Sequence, residues 1–257
     1  MGSVSVPQRR AFLVGGLAAS AAVITGCSSK SDTAAPAEKA AAGAAPAASP
    51  VAAVARPDSP RTAFDRLMEG NKRWVDGKLQ HPDQTPERRT LLAAEQKPYA
   101  AILSCIDSRV PPELVFDTGI GDLFVMRTGG QVVSPVVTGS VEYGPLTAGT
   151  SLIVVLGHQS CGAVKAAYKA LKEKTPLPGN LQSIVEAVRP AYEEISKQKH
   201  ADPVDAMIRV HTRQTAADLR KSTNLAPLLR KRDVAIVSAY YSLETGRVEV
   251  LSGTPAA

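Results

Sequence analysis

Apolar residues along this chain fall in short unbroken runs, without the alternation that marks a strand wet on one face. YAAILS (99–104), DLFVMR (122–127) and SLIVVLG (151–157) therefore predict strands buried on both faces. A fourth run, VAIVSAYYS (234–242), meets RVEVL (247–251) through LETG, which predicts a C-terminal hairpin. Between the first and third runs lie PPELVF and SPVVTGSVEYGPL, two helical segments, and CGAVKAAYKALKEK begins a longer helix after the third. Strands alternating with helices imply an α/β fold: a mostly parallel central β-sheet of four to five strands, flanked by helices and linked by right-handed crossovers.

Two helices are predicted ahead of the sheet. Ser59 before Pro60 reads as an N-cap with a first-turn proline, and Phe64, Leu67, Met68, Trp74 and Val75 share one helical face. The second starts at Thr85 and Pro86 and runs through ERRTLLAAEQ. Such an N-terminal helical arm must cover apolar surface in its own domain or on a partner.

Upstream the pattern changes. Arg9 and Arg10 precede an apolar stretch too short for a membrane span, which ends in ITGC at Cys27. The segment resembles a twin-arginine export signal closed by a bacterial lipobox, with Gln8 where that family prefers Ser or Thr; the resemblance implies lipid on Cys27. An ordinary cleaved signal with an incidental cysteine is the alternative. Two acyl chains would anchor the chain stably at the outer face of the cytoplasmic membrane of a bacterium. Residues 28–58 are Ala, Pro and Ser with almost no large apolar side chain, which predicts a flexible tether. The expected organisation is thus signal 1–27, tether 28–58 and folded domain 59–257.

Composition narrows this further. With 44% hydrophobic and 21% charged residues in 257, the chain can bury the core of one ordinary domain. Its net charge of +6 is scattered and accompanied by no aromatic-studded basic motif, so a solvated surface is expected and no nucleic-acid partner.

Sites in open parallel sheets form beyond the carboxyl ends of the strands. Cys105 ends the first strand there, and His158 and Cys161 stand at the end of the third. If those strands are neighbours, two thiols and an imidazole converge, a ligand set that zinc takes tetrahedrally with a fourth place for water, substrate or Asp107. A buried cysteine as a small hydrophobe, a packed histidine, or a Cys105–Cys161 disulfide are the competing accounts. None of them explains why Asp107 and Arg109 follow Cys105 so closely. Gly162, opening the next helix, would let the backbone approach the pocket.

On SCIDSRVPPELVFDTGIGDLFVMR, GSVEYG and VLGHQSCGAVKAA, residues 60–251 resemble a β-class carbonic anhydrase. The resemblance implies one zinc per chain on Cys105, His158 and Cys161, and reversible hydration of carbon dioxide to bicarbonate and a proton by zinc-bound hydroxide. It makes Asp107 and Arg109 a catalytic dyad: Asp107 accepts a hydrogen bond from the hydroxide, and without Arg109 it swings onto the metal as a fourth ligand, closing the site. It puts Gln96, Phe124 and Tyr143 around the substrate, Gln96 reaching the neighbouring subunit, and implies a homodimer or a dimer of dimers. There are departures. RTGGQ (127–131) puts Thr128 where many members have Asn, and Ile102 replaces the Trp of an inhibitory bicarbonate site, although Arg127 is retained. His81, His200 and His211 read as surface residues, which leaves no proton shuttle. Two rivals remain: a zinc hydrolase of carbonyl sulfide or carbon disulfide, and a non-catalytic zinc lipoprotein.

Overall fold

All five apolar runs pair into one sheet in the order β2-β1-β3-β4-β5. In the computed structural model, which describes residues 55–256, the strands are β1 Ala100–Cys105, β2 Leu123–Thr128, β3 Leu152–His158, β4 Ala235–Tyr241 and β5 Val248–Ser252. The first four run parallel, and β5 returns antiparallel to β4 through a turn in which Gly246 takes φ +70°. β1 and β3 are buried at every position, as expected of central strands, whereas β2 is half-buried throughout. The expectation of burial on both faces fails for β2 because it is the sheet's edge in this chain.

Side chains alternate between two apolar layers, as the pleat requires. Ile102, Leu152, Val154 and Leu156 face α1 (Pro60–Val75) and α3 (Pro112–Val115), while Leu103, Ile153 and Val155 face α4 (Pro135–Tyr143), part of α7 (Pro203–Arg220) and α8 (Leu225–Lys231). A third cluster joins α5 (Gly162–Glu173), α6 (Leu181–Ile195) and α7 around Cys105 and Cys161. α7 lies so close on β3 that a Cβ at Gly157 would sit 2.2 Å from Thr212 Oγ1.

Ser59 caps α1 in a reciprocal capping box with Thr62, and the helix lays Leu67, Phe64 and Met68 on its own domain's core. α2 (Pro86–Leu91) is shorter than predicted and buries no residue, so no packing among the described residues propagates it toward Gln96. The sequence does not single out α6, α7 or α8: Pro190 interrupts α6, the polar His211, Thr212 and Thr215 lie on the buried face of α7, and α8 spans only seven residues.

The export signal with Cys27, and the tether up to residue 54, lie outside the described residues. Arg56, at the tether's expected end, donates to the carbonyls of Lys97, Pro98, Ala148 and Gly149, which fastens the chain to the domain before α1 begins. Among the described residues no helix is long and apolar enough to cross a membrane.

Candidate metal centre

The chain leaves β1 outward to β2, then crosses back to β3 on the other side of β1, so a crevice opens between the carboxyl ends of β1 and β3. Cys105 is the last residue of β1 and His158 the last of β3. Ser160 takes a left-handed conformation (φ +54°), and Cys161 follows as the N-cap of α5. One donor atom each from Cys105, His158 and Cys161 lie within 4.8 Å of one another, all three residues buried. The two sulfurs are 3.8 Å apart, and both cysteines are free thiols rather than a disulfide.

The donor set fits a borderline-soft divalent ion. His158 Nδ1 faces the Gln159 carbonyl at 2.9 Å, which assigns it the proton and leaves Nε2 as the lone-pair nitrogen. That Nε2 is fully buried and finds no hydrogen-bond partner among the described residues. A buried nitrogen without a partner is costly unless something else takes its lone pair. The contact with Cys161 pulls the Cys105 thiol below its ordinary range against the opposing effect of burial, helped by His158 and by the Gly130 N–H 3.3 Å from its sulfur. The same contact, with burial, pushes Cys161 up.

Asp107 and Arg109 pair beside this cluster. Arg109 donates from Nε to Asp107 Oδ1 at 2.9 Å and from Nη2 to Oδ2 at 2.7 Å, and its backbone N–H also reaches Oδ1 at 3.0 Å. These bonds hold the Asp107 carboxyl far below the usual carboxylate range although burial opposes them. Asp107 Oδ2 lies 3.9 Å from His158 Nε2, so the carboxylate faces the point where the ligands converge.

The other predicted contacts are not assembled here within one chain. Gln96 is exposed on the loop before β1, at the opposite end of that strand from Cys105. Phe124 packs edge-on against Tyr143, with ring centroids 5.8 Å apart, and stands four residues before Thr128, the register partner of Cys105. Gly162 opens α5 directly after Cys161, and a Cβ there would meet no protein atom within 4 Å. Arg127 is committed to the ligand loop, donating to the carbonyls of Cys105 (2.9 Å) and Asp107 (2.5 Å). Thr128 donates to Val132 O at 2.7 Å and so closes the turn that follows β2.

His81 and His200 are exposed as expected, but His211 is not. It is 5% exposed on the inner face of α7, and its Nε2 lies 3.0 Å from Gly130 O. Burial pushes its pKa down to about 4, so it is neutral and donates to that carbonyl. The sequence hides this because a histidine next to Thr212 and Arg213 looks like a polar helix position; its burial depends on a contact 81 residues away.

The chain matches the family profile described as carbonic anhydrase over residues 100–248. It is 42% identical over 190 residues to carbonic anhydrase 2 of Mycobacterium tuberculosis, covering 74% of this chain and 91% of that protein. It is 43% identical over 195 residues to a carbonic anhydrase of Mycolicibacterium smegmatis, covering 76% and 94%. A solved structure of a tetrameric β-carbonic anhydrase from Sordaria macrospora superposes with a TM-score of 0.59, at 22% identity over 74% of this chain and 98% of that one; this likeness is one of fold.

Proposed function

The chain belongs to the β-class carbonic anhydrase family, and from that premise we propose that Cys105, His158 and Cys161 hold one zinc ion per chain for the hydration of carbon dioxide. The observation that carries the metal assignment is the buried, unpartnered His158 Nε2 beside two free sulfurs. Zinc bound there supplies Lewis acidity that brings the pKa of a water towards neutrality. The protein's own residues do the rest. Asp107 Oδ2 accepts a hydrogen bond from the attacking water and so orients its lone pair toward carbon dioxide. Arg109 occupies both carboxylate oxygens and restrains Asp107 from turning onto the ligand cluster. Arg127 fixes the carbonyls on either side of Ile106, so the sulfur and the carboxylate keep their spacing.

The same proposal makes a homodimer the smallest working unit, alone or paired into a dimer of dimers. Gln96, Phe124 and Tyr143 serve substrate only if a second copy brings them to its site, since each lies well away from the ligands of its own chain. Exposed Leu91 (74%), Val136 (78%) and Tyr143 (54%) supply apolar surface for that contact.

Residues 1–27 fit an export signal that leaves Cys27 lipidated, with the domain held by its tether outside the cytoplasmic membrane. Folding before export suits the site, because a bound metal keeps the two thiols from pairing in an oxidising compartment. Mass spectrometry of the membrane-extracted protein tests the anchor: diacylglycerol on Cys27 is expected, and an unmodified cysteine rejects it.

Stopped-flow hydration of carbon dioxide by the full chain, with metal content assayed on the same sample, tests the activity. About one zinc per chain with turnover that vanishes on chelation is expected. Full zinc without turnover, while carbonyl sulfide or carbon disulfide is consumed, would replace the substrate.

A further inference from the structure

We propose that His211 is a positioning residue of the metal centre: by donating to the Gly130 carbonyl it holds the Gly130 N–H on the sulfur of Cys105. It rests on the reading that Cys105, His158 and Cys161 hold a metal.

The turn between β2 and α4 contains two consecutive left-handed residues, Gly130 (φ +68°) and Gln131 (φ +48°). A non-glycine residue such as Gln131 does not hold that conformation by preference, so something outside the turn must stabilise it. Helix α7 does so twice. His211 Nε2 lies 3.0 Å from Gly130 O, and Gln131 Nε2 donates to Thr212 Oγ1 at 3.1 Å. Thr212 in turn donates to Ile208 O at 2.7 Å, and its side chain rests against Gly157, the residue before His158. The turn carrying the donor to Cys105 and the strand carrying His158 are thus both referred to α7.

The Gly130 N–H lies 3.3 Å from Cys105 Sγ. A donor there draws charge from the ligand sulfur and fixes its direction. An apolar side chain would fill the space of His211 without the desolvation cost of a buried imidazole, so packing alone gives no reason for a ring nitrogen facing that carbonyl. No group of His211 touches the ligands, so its effect passes through Gly130.

The test compares full-length His211→Phe, which keeps the ring and loses the donor, with His211→Gln, whose amide N–H reaches the same carbonyl. Zinc transfer to a chromophoric chelator is expected to be about tenfold faster from the Phe variant, the lower end for losing an outer-shell partner, and near wild type from the Gln variant. In the cobalt-substituted protein the thiolate-to-metal absorption band is expected to shift in the Phe variant alone. Wild-type transfer from a folded Phe variant, or a Gln variant as leaky as the Phe variant, overturns the proposal. The metal-free wild type supplies a test that needs no variant: ¹⁵N resonances of labelled histidine should show His211 protonated at Nε2, and protonation at Nδ1 instead overturns it. Zinc stoichiometry of the wild-type chain, measured on the same material, tests the metal reading separately.

Discussion

Asp107 and Arg109 stand at alternate positions just past β1, which puts both side chains on one side and leaves the intervening Ser108 exposed. The Arg109 backbone N–H and both guanidinium contacts converge on one carboxylate, leaving it charged and fixed. Asp107→Ala and Arg109→Ala should therefore keep full zinc yet lose carbon dioxide hydration by about 100-fold or more, the scale of a positioned proton acceptor. Atomic absorption and stopped-flow on the same preparations check this, and wild-type turnover in either would reject the dyad. Which residue types belong to the site is legible from C-x-D-x-R and H-x-x-C. The contacts of Arg127 and His211 are not, because each is made to a backbone carbonyl that any residue could supply.

Among the elements, α1 is held by more than its apolar stripe. Asp117, at the end of the α3 segment, accepts from Arg73 of α1 at 2.5 Å and from the backbone N–H groups of Gln80 and His81 at 3.0 Å each. Burial raises its pKa, but these donors outweigh it and the net shift is downward. Asp117→Ala leaves Arg73 and two amides without their acceptor and should cost about 3 kcal/mol, measured by urea unfolding. Helix α7 contributes a pH dependence of the same sign, at higher pH. His211 folds with its pKa near 4, below the value of about 6.5 in an unfolded chain, so the unfolded state binds more protons between them. Stability should fall as pH drops through that window, by at most about 1.4 kcal/mol per pH unit from this group. In the metal-free chain His211→Gln should flatten the slope, and an unchanged slope would reject it. The capped start of α1 and the C-terminal hairpin are readable locally, since their contacts are close in sequence, and the strands are readable from their apolar runs although their pairing partners lie far along the chain. α2 falls short of its prediction because, among the described residues, its pattern buries no side chain.

At the scale of the whole molecule, β2 presents a half-buried edge, and Leu91, Val136 and Tyr143 leave apolar surface in water. Analytical ultracentrifugation of the zinc-loaded chain should find at least a dimer, and Val136→Asp should shift it toward monomer with loss of turnover while zinc stays bound. A fully active monomer would return Gln96, Phe124 and Tyr143 to ordinary surface and packing roles. The alternation of apolar runs and helical stripes determined the α/β class, the strands and the chemistry available at their ends, because backbone periodicity and residue type are local properties. Tertiary structure alone decided that β1 and β3 are neighbours, that β2 is an edge, and that a histidine on α7 lies against the turn beside Cys105. Those relations depend on strand order and packing between residues far apart in sequence, and no local pattern encodes that distance.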